Sequence, residues 1–400
     1  YAFYPTTGGV ESHLLDLGAG LVKQGHEVYA LVGSREGSPL FEEIHGIKVH
    51  RRNLMNPFYI RERKAHLGLP AEEVVYTILR EIRVMYESFI EENRIDIIHA
   101  HNFHHFLPGH ALALTELHDQ GLATVLTTHE VWSEFICEDL LERSRWDAII
   151  TVSRHVQEGL CEQAPHLQNL HLIYHGIDTT LFSPDNREDN WAEKLGFKDR
   201  PAITHPARML PWKGVIYGVR AMEMVRKEFP DAVLIITDTE NIIDWIGELK
   251  GYKEQVLETI KRLGLQEHVI LQSFPYWELP TVYNHCQVVI YPTIGEEPFG
   301  LVPVEAMACA KPVVVTKSGG LVESVIDGET GFIIEKRDVN ALAEKVCLLL
   351  RDKKLAQQIG KAGRRHVQEH FSRERMVHQV SELYQRVVAK RTKTRLWQTV

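Results

Sequence analysis

Short apolar segments alternate with amphipathic segments along most of this chain, and this alternation constrains the fold more than any other feature. In the first half, apolar runs at 26–32, 95–100, 123–128 and 148–152 have the length of strands buried in a parallel sheet. Before the first run, apolar residues recur at helical spacing, at Val10, Leu14, Leu17 and Leu21. Strands that alternate with helices predict an α/β fold built on parallel sheets.

The pattern is interrupted once and then restarts. The segment 183–190 is polar and contains Pro184, which is typical of a solvated linker. Apolar runs return at 202–205, 232–237, 269–273, 288–291, 312–316 and 331–333. We therefore predict two doubly wound, Rossmann-like domains at 1–184 and 200–374, a linker at 185–199, and a C-terminal helical segment, 375–400, that packs back on the first domain. Ligands of open parallel sheets bind at the carboxyl ends of the strands, which predicts a site in a cleft between the domains.

Charge and cysteine content exclude several classes of protein. Lys and Arg number 45 against 54 Asp and Glu, a net charge of −9, which argues against a generic nucleic-acid binder. The five cysteines are scattered without paired spacing, so neither a zinc module nor a disulfide framework is indicated. No apolar run reaches the ~18 residues of a transmembrane helix, and the start of the chain shows no export signal. We expect a cytoplasmic protein.

Two glutamates bracket a loop in the second half that turns into a helix. Glu297 and Glu305 stand on either side of Gly300, and a glycine there lets backbone amides near the helix N-terminus point outward, as anion binding requires. A carboxylate at each end suits the hydroxyls of a sugar joined to a ribose by a diphosphate. If the intervening segment were wholly helical, its rise would be about 12 Å, the scale of that ligand. The alternative is that both glutamates simply cap and solvate a helix start.

Two cations and two glycines could hold the phosphates of such a ligand. Arg208 and Lys213 follow a predicted strand at the start of a helix, where they would neutralise the charge that grows on a leaving diphosphate. Gly8 and Gly9 would let backbone amides of the first domain approach the same phosphates. The alternative for Arg208 and Lys213 is an ordinary solvated loop.

These motifs resemble the retaining glycosyltransferases of family four, which have the GT-B fold. The run from Glu297 to Ala306 resembles the family's glutamate, seven residues, glutamate signature. Arg208 and Lys213 match its basic pair. Further similarity extends over nearly the whole chain, at Gly8, Gly9, Glu11, Gly25, His26, Glu27, Val28, Gly176, Ile177, Asp178, Phe182, Pro184, Gly319, Gly320, Leu321 and Glu323.

The resemblance implies a role for each motif. Arg208 and Lys213 would bind the diphosphate and Glu305 the ribose. Glu297 would bind the sugar together with backbone amides, those of Phe299, Gly300 and Leu301. No cofactor is implied.

Histidines are concentrated after one strand of the first half. The segment 99–105 contains four of them, and the family resemblance implies that one lies near the transferred sugar. His101 is favoured and His104 is the second choice. His129 and Glu130 follow the next strand and would contact acceptor or sugar. Crowded imidazoles also suit a metal, but no matching cysteine or carboxylate spacing accompanies them, so we predict no metal site.

Three sequence features depart from the rest of the pattern. The segment 235–239 lacks the glycine usual in the family. The segment 50–64 is basic and aromatic within an acidic protein, which would suit a phosphorylated or lipid-linked acceptor or a membrane surface, and would equally suit a solvated loop. The C-terminal cations would add a second basic contact, unless they are simply exposed, at Lys390, Arg391, Lys393 and Arg395.

Together the glutamate and basic motifs and their resemblance to family four predict a metal-independent, retaining glycosyltransferase. It would move a sugar from a UDP- or GDP-linked donor to the hydroxyl of a glycan, polysaccharide or lipid-linked acceptor, without nucleic acid as a partner. The enzyme would be cytoplasmic, with peripheral contact at the inner membrane face if the acceptor is lipid-linked. The resemblance implies that the leaving phosphate itself takes the acceptor proton. The alternatives are an epimerase or hydrolase of the same fold acting on nucleotide sugars, and a two-lobed sugar-binding protein without catalysis.

Overall fold

The computed structural model describes residues 8–103, 108–130, 141–237 and 251–398. The chain divides into two compact units, one formed by Tyr1–Gly176 with Arg373–Val400 and the other by Ile177–Ser372. The segment 1–5, whose sequence favours the end of a strand before the turn at Gly8 and Gly9, lies outside the described residues. The segment 185–199 is grouped with the second unit, and its Trp191 and Phe197 are buried there against apolar side chains. The domain limits inferred from composition stay a prediction.

The described residues of the first unit form two small sheets. Its strands are β1 (Tyr29–Gly33), β2 (Phe41–Ile44), β3 (Ile47–Arg52), β4 (Ile97–His101), β5 (Ala123–Thr128), β6 (Ala148–Thr151) and β7 (Leu170–Leu172). Strands β4, β5, β6 and β7 form a parallel sheet in that order, and β1 pairs in parallel with β3. Its helices before residue 176 are α1 (Gly9–Lys23), α2 (Pro57–His66), α3 (Ala71–Asn93), α4 (Pro108–Asp119) and α5 (Arg154–Gln163).

Local sequence explains how α1 begins and ends. The N-terminal flanking residue is Gly8, which provides no side-chain cap, and Glu11 lies in the first turn, where an acidic group favours the helix dipole. After the helix, Gly25 adopts a φ of +89°, the left-handed conformation that glycine favours at helix ends. The strand predicted from His26 begins three residues later, at Tyr29, because the amides of Gly25 and His26 still bond to helix carbonyls.

Strands β2 and β3 form an antiparallel hairpin that apolar periodicity did not reveal. His45 and Gly46 occupy its two-residue turn with φ values of 52° and 80°, the pair of positive angles typical of a type I′ turn. The basic segment 50–64 therefore lies in β3, a 3-10 turn (Asn53–Met55) and α2, and of the two alternatives left open the solvated loop is wrong. Arg51 is buried and paired with Glu42, and Arg63 forms an ion pair with Glu81 at 2.9 Å, so part of its charge is compensated.

The second unit is a doubly wound parallel sheet. Its strands are β8 (Ala202–His205), β9 (Val233–Thr237), β10 (Val269–Gln272), β11 (Val288–Tyr291), β12 (Val313–Thr316) and β13 (Phe332–Ile334). Its helices are α6 (Trp191–Lys194), α7 (Val215–Glu228), α8 (Tyr252–Arg262), α9 (Leu279–His285), α10 (Leu301–Ala308), α11 (Leu321–Ser324), α12 (Val339–Arg351) and α13 (Lys353–His370). Two 3-10 turns, Pro211–Lys213 and Tyr276–Glu278, complete it.

The strand order of this sheet determines where a ligand can bind. The order is β10, β9, β8, β11, β12, β13, so the chain proceeds outward in one direction from β8 and in the other from β11. The carboxyl ends of β8 and β11 are therefore the topological switch point of this sheet, the place where doubly wound sheets bind their ligands. Arg208 and Lys213 follow β8, and Glu297 follows β11.

The last helix, α14 (Arg373–Gln398), belongs to the first unit. Its apolar side chains Val377 and Val380 pack in one cluster with Leu17 and Leu21 of α1 and with Val125 of β5. Polar contacts add to this packing, because Tyr384 bonds to His99 at 2.6 Å and Arg391 pairs with Asp147 at 2.7 Å. Arg391 is therefore not the free basic contact that the sequence suggested. None of the described helices combines the length and apolar character needed to cross a bilayer.

Candidate active site

Two loops of the second unit are locked together at the switch point. The carbonyl oxygen of Trp212, in the loop after β8, accepts hydrogen bonds from the hydroxyl of Thr293 and from the amides of Ile294 and Gly295, at 2.7, 2.8 and 3.1 Å. Gly214 lies directly under the carbonyl of Pro292, with a φ of +74°. This interlock brings the side chains of the two loops into contact.

A buried triangle of polar groups results. Lys213 Nζ lies 2.6 Å from Glu297 Oε2 and donates to the hydroxyl of Tyr291 at 2.8 Å, and that hydroxyl donates to the same carboxylate oxygen at 3.0 Å. The side chains of Lys213 and Glu297 are only 14% and 12% exposed. Of the three donors on the ammonium group, these contacts use two and leave one for a ligand.

The triangle keeps Lys213 charged. Burial lowers the pKa of Lys213, but the negative charge of Glu297 and the hydrogen bonds that Lys213 donates to Glu297 and Tyr291 outweigh this effect, so the pKa is raised above its usual value. Burial and the charge of Glu297 raise the pKa of the Tyr291 hydroxyl as well. Lys213 is thus a fixed cation beside a fixed carboxylate.

Hydrogen bonds tie the loop after β11, which contains Glu297, to the loop after β12, which contains Ser318 and Gly320. The Glu297 amide donates to Ser318 Oγ at 3.0 Å, and the Glu297 carbonyl accepts from the Gly320 amide at 2.7 Å. Gly300 precedes α10 with a φ of +89°, and a side chain there would overlap Leu321. Helix α10 starts only at Leu301, so the assumption of a wholly helical segment from Glu297 to Glu305, with its 12 Å rise, is wrong.

The remaining predicted donor residues lie around this loop. Glu305 is 4% exposed and accepts a hydrogen bond from the Tyr283 hydroxyl at 2.7 Å. Phe299 is buried and its ring packs against that of Phe371. The amides of Gly300 and Leu301 donate no backbone hydrogen bond within the described ranges, as expected of a first helical turn. Arg208 is exposed and has no ion-pair partner among the residues placed by the structure.

A separate cavity of about 320 Å³ lies in the second unit beside the same loops. None of the predicted donor-binding residues lines it. Its walls are formed by Pro211, Ile216, Tyr217, Arg220, Tyr252, Gln255 and Ile294.

In the first unit, the predicted residues at the ends of β4 and β5 meet one another. His101 Nδ1 and His129 Nε2 are 2.9 Å apart, and Asn102 donates to Glu130 at 3.3 Å. Burial lowers the pKa of both histidines well below the usual value, so they are neutral at pH 7. Gly8 and Gly9 lie at the start of α1. His104 lies outside the described residues, as do Asp238 and Thr239 of the segment that lacks the family glycine.

Several residues of these sites were missed by sequence reasoning. Tyr291 and His205 are the last residues of β11 and β8, and a polar residue at the end of an apolar run is the signal that would have identified them. His205 is fully buried, and neither ring nitrogen finds a hydrogen-bond partner in the described part of the chain. Burial, and next the charge of Lys213, lower the pKa of His205 to about 3. His13 and His175 were also missed, because sequence distance hides their contact at 2.8 Å.

Comparison with known proteins identifies the family. The family model described as glycosyl transferases group 1 matches residues 187–366, and the model described as glycosyltransferase family 4 matches residues 7–181. The chain belongs to glycosyltransferase family 4. The resemblance seen in the sequence is thereby confirmed, and this family 4 chain is an enzyme that transfers glycosyl groups.

Curated relatives and solved structures agree with this family 4 membership. A GDP-mannose-dependent alpha-(1-6)-phosphatidylinositol monomannoside mannosyltransferase of Mycolicibacterium smegmatis is 31% identical over 226 residues, 54% of this chain and 56% of that protein. The alpha-maltose-1-phosphate synthase of the same organism is 29% identical over 73% of this chain and 79% of that protein.

Similarity to solved structures extends over almost the whole chain. Sucrose-phosphate synthase of Thermosynechococcus elongatus gives a TM-score of 0.76 at 22% identity, with 96% of this chain and 94% of that chain covered. Anabaena Alr3699/HepE, solved with UDP and glucose, gives 0.74 at 22% identity, with 96% and 97% covered. At this level of identity the likeness shows the fold, and the predicted GT-B fold with its parallel-sheet α/β units is confirmed.

The interlock of the two loops predicts a specific sensitivity to a methyl group at Gly214. Gly214→Ala adds a Cβ that overlaps the Pro292 carbonyl, whereas Gly196→Ala is a matched control with nearly the same φ, +75°, and no atom within 4 Å. The control should cost only the left-handed backbone penalty of about 1–2 kcal/mol. Gly214→Ala should lower the free energy of unfolding by at least about 2 kcal/mol more, measured by urea denaturation. Equal losses in the two variants would contradict the interlock.

The buried imidazole of His205 predicts an acid-dependent loss of stability. Its pKa of about 3 is below the ordinary 6.5, so its contribution to stability is present above pH 6.5 and is lost as pH falls from 6.5 towards 3. Between pH 7 and pH 5 the wild type should lose about 2 kcal/mol of unfolding free energy more than His205→Leu. The exposed His166→Leu variant is the control and should follow the wild type. Identical pH dependence in wild type and His205→Leu would contradict this assignment.

Proposed function

We propose that the second unit binds a nucleotide-diphosphate sugar at its switch point, and that the enzyme transfers the sugar to a hydroxyl acceptor with retention of configuration and without a metal at the diphosphate. The observation that carries this proposal is the triangle of Lys213, Glu297 and Tyr291. It sets a permanent cation beside a carboxylate. These two groups are complementary to the part of a donor where a phosphate adjoins the hydroxyls of the sugar, because a cation binds the phosphate and a carboxylate accepts from a hydroxyl.

Lys213 would act on the leaving group. Negative charge grows on the diphosphate as the glycosidic bond breaks, and a preorganised cation stabilises that charge more in the transition state than in the ground state. The third donor of Lys213 is available for a phosphate oxygen, and the exposed Arg208 would supply a second cation. Two protein cations then take the part that a divalent metal plays in other enzymes of phosphate chemistry.

The carboxylates would bind the two ends of the donor. Glu297 uses only Oε2 within the triangle, so its other oxygen can accept a hydrogen bond from a sugar hydroxyl. The amides of Gly300 and Leu301 point from the first turn of α10, where the helix dipole favours an electronegative partner. Glu305, one turn further along the helix, would accept from the ribose hydroxyls, with Tyr283 orienting its carboxylate.

The first unit would contribute the acceptor side, as the family resemblance implies. His101 would contact the transferred sugar, His104 remains the second choice, and His129 with Glu130 would contact sugar or acceptor. Because burial keeps His101 neutral, it would act there as a hydrogen-bonding group and not as a cation. Gly8 and Gly9 would offer amides to the phosphates. The acceptor proton would pass to the leaving phosphate, so no dedicated general base is assigned.

The comparisons narrow the donors to test first. One relative is named for GDP-mannose, and one structural neighbour was solved with UDP and glucose. We also propose a cytoplasmic location with a lipid-linked acceptor and peripheral membrane contact. The support is the basic segment 50–64, in which Arg51 and Arg63 form ion pairs and the other basic residues could meet an anionic headgroup. UDP, GDP, UDP-glucose and GDP-mannose are therefore the first ligands for a thermal-shift screen, in which a ligand at a hundred times its dissociation constant adds about 2.7 kcal/mol to stability.

Kinetics with the best donor test the assigned roles. Lys213→Ala and Glu305→Ala should each lower kcat/KM for transfer at least tenfold. Lys213→Ala removes a cation from the leaving diphosphate, and by analogy an oxyanion donor is worth about 3 kcal/mol in the barrier. Glu305→Ala removes the acceptor proposed for the ribose hydroxyls. Glu305→Gln keeps an acceptor for Tyr283 and separates lost charge from lost packing. Lys198→Ala removes an exposed lysine of the same unit and should retain wild-type turnover. Unchanged turnover in a folded Lys213→Ala or Glu305→Ala enzyme would refute the role given to that residue.

The stereochemical and metal assignments have their own test. NMR of the product should show the anomeric configuration of the donor, with label from the sugar found on the acceptor. Adding Mg²⁺ or Mn²⁺ should change the rate less than twofold, because protein cations already neutralise the diphosphate. An inverted product, a strict metal requirement, or label released only as free or epimerised sugar would each overturn the corresponding part of the proposal.

A further inference from the structure

A row of histidines runs through the interior of the first unit. His13 comes from α1, and both His99 and His101 come from β4. His129 follows β5, and His175 follows β7. His101 Nδ1 is 2.9 Å from His129 Nε2, His129 Nδ1 is 3.3 Å from His175 Nε2, and His175 Nδ1 is 2.8 Å from His13 Nδ1. His99 is tied to Thr127 and Tyr384 and packs its ring on His101.

The proton count along this row leaves one buried atom unsatisfied. A neutral imidazole has one N–H and one lone pair, so the three hydrogen bonds from His101 to His13 must all point in one direction. In either direction, the bond to His175 occupies Nδ1 of His13, and Nε2 of His13 remains buried without a partner among the residues described. A buried polar atom without a partner costs on the order of 1–3 kcal/mol in stability, so a ligand bound to this atom would remove an unfavourable contribution of that size.

Three of these imidazoles are arranged as ligands of one ion. His13, His129 and His175 are all buried, and one nitrogen from each lies within 4.8 Å of the other two. A tetrahedral ion with metal-to-nitrogen distances of about 2.0–2.1 Å needs nitrogens roughly 3.3 Å apart, which the contact between His129 and His175 already provides. Rotation of the His13 ring would close the remaining separation.

We propose that His13, His129 and His175 form a binding site for a divalent transition-metal ion of the zinc class. Imidazole is a preferred ligand for such ions, and three neutral rings can each give a lone pair without losing a proton. Bound through Nδ1 of His129 and Nε2 of His175, the ion would replace the hydrogen bond between these two rings. Rotation of the His13 ring would exchange its hydrogen bond to His175 for a bond from its Nε2 to the metal. No described carboxylate or cysteine belongs to this group.

The site would brace the start of α1. His13 lies one turn after Gly9, so a bond to the ion would tie this end of the helix to the segments that follow β5 and β7. The role is structural and concerns the first unit alone. It is separate from the proposed absence of a metal at the diphosphate, and its test reads metal binding, so the two proposals can fail independently.

The first measurement uses the wild-type chain. Protein stripped with EDTA and freed of chelator is titrated with Co²⁺, followed by its visible absorption, and then with competing Zn²⁺, with bound metal counted by elemental analysis. We expect one equivalent per chain, a tetrahedral Co²⁺ spectrum that Zn²⁺ removes, and a higher Tm with Zn²⁺. Absence of stoichiometric binding by a folded wild type would overturn the proposal without any variant.

Variants assign the ligands. His13→Gln and His175→Gln should each weaken Zn²⁺ binding at least tenfold and abolish the Zn²⁺-dependent rise in Tm, whereas the exposed His166→Gln variant should bind like the wild type. Circular dichroism of the metal-free proteins checks that each variant is folded. If one of the two does not fold, the other decides the assignment. Undiminished binding by a folded His13→Gln or His175→Gln protein would show that the ion lies elsewhere and would overturn the site.

Discussion

The second unit depends on the contact between the loop after β8 and the loop after β11. The carbonyl of Trp212 holds three donors of the facing loop, and Gly214 allows an approach that no other residue permits. Two of these donors are backbone amides and the third is the hydroxyl of Thr293, a short side chain, so the contact can hold Lys213 against Glu297 before any ligand arrives. Preorganisation of this kind is what an electrostatic catalyst requires, because the polar groups then need no rearrangement when charge develops.

The ion pair of Lys213 and Glu297 would be of doubtful value for stability alone. Desolvation of two charges is costly, and a buried pair often contributes less than well-packed apolar groups. Tyr291 offsets part of that cost by bonding to both partners, and the pair retains one ammonium donor and one carboxylate oxygen for other contacts. A buried ion pair with this desolvation cost is reasonable at a site where a ligand uses the two charges. This is the physical basis of the proposal that the donor binds here.

The two units use polar side chains in opposite ways. In the second unit, opposite charges stabilise one another and raise the pKa of Lys213, whereas in the first unit burial lowers the pKa of His13 and His99 to about 3. A row of neutral imidazoles holds lone pairs instead of charge. Such a row suits hydrogen bonding or metal ligation, whereas the second unit holds a fixed cation at Lys213.

The order of strands and helices was predictable from the amino-acid sequence, because apolar periodicity depends on local burial and persists wherever a segment is covered on both faces. Helix α1 and the parallel sheet of the second unit were both expected on these grounds. The hairpin of β2 and β3 was not, because its turn is encoded by the backbone angles of His45 and Gly46 and not by apolar spacing.

The sequence by itself also determined which residues are candidates for the donor site, since Lys213, Glu297 and Glu305 belong to motifs whose spacing is local. Only the tertiary structure decided that Lys213 shares a carboxylate oxygen with Tyr291, that Arg51 and Arg391 are paired, and that His13 meets His175. These partners are far apart along the chain, and pairing over such distances follows from how sheets and helices pack, which no local pattern records.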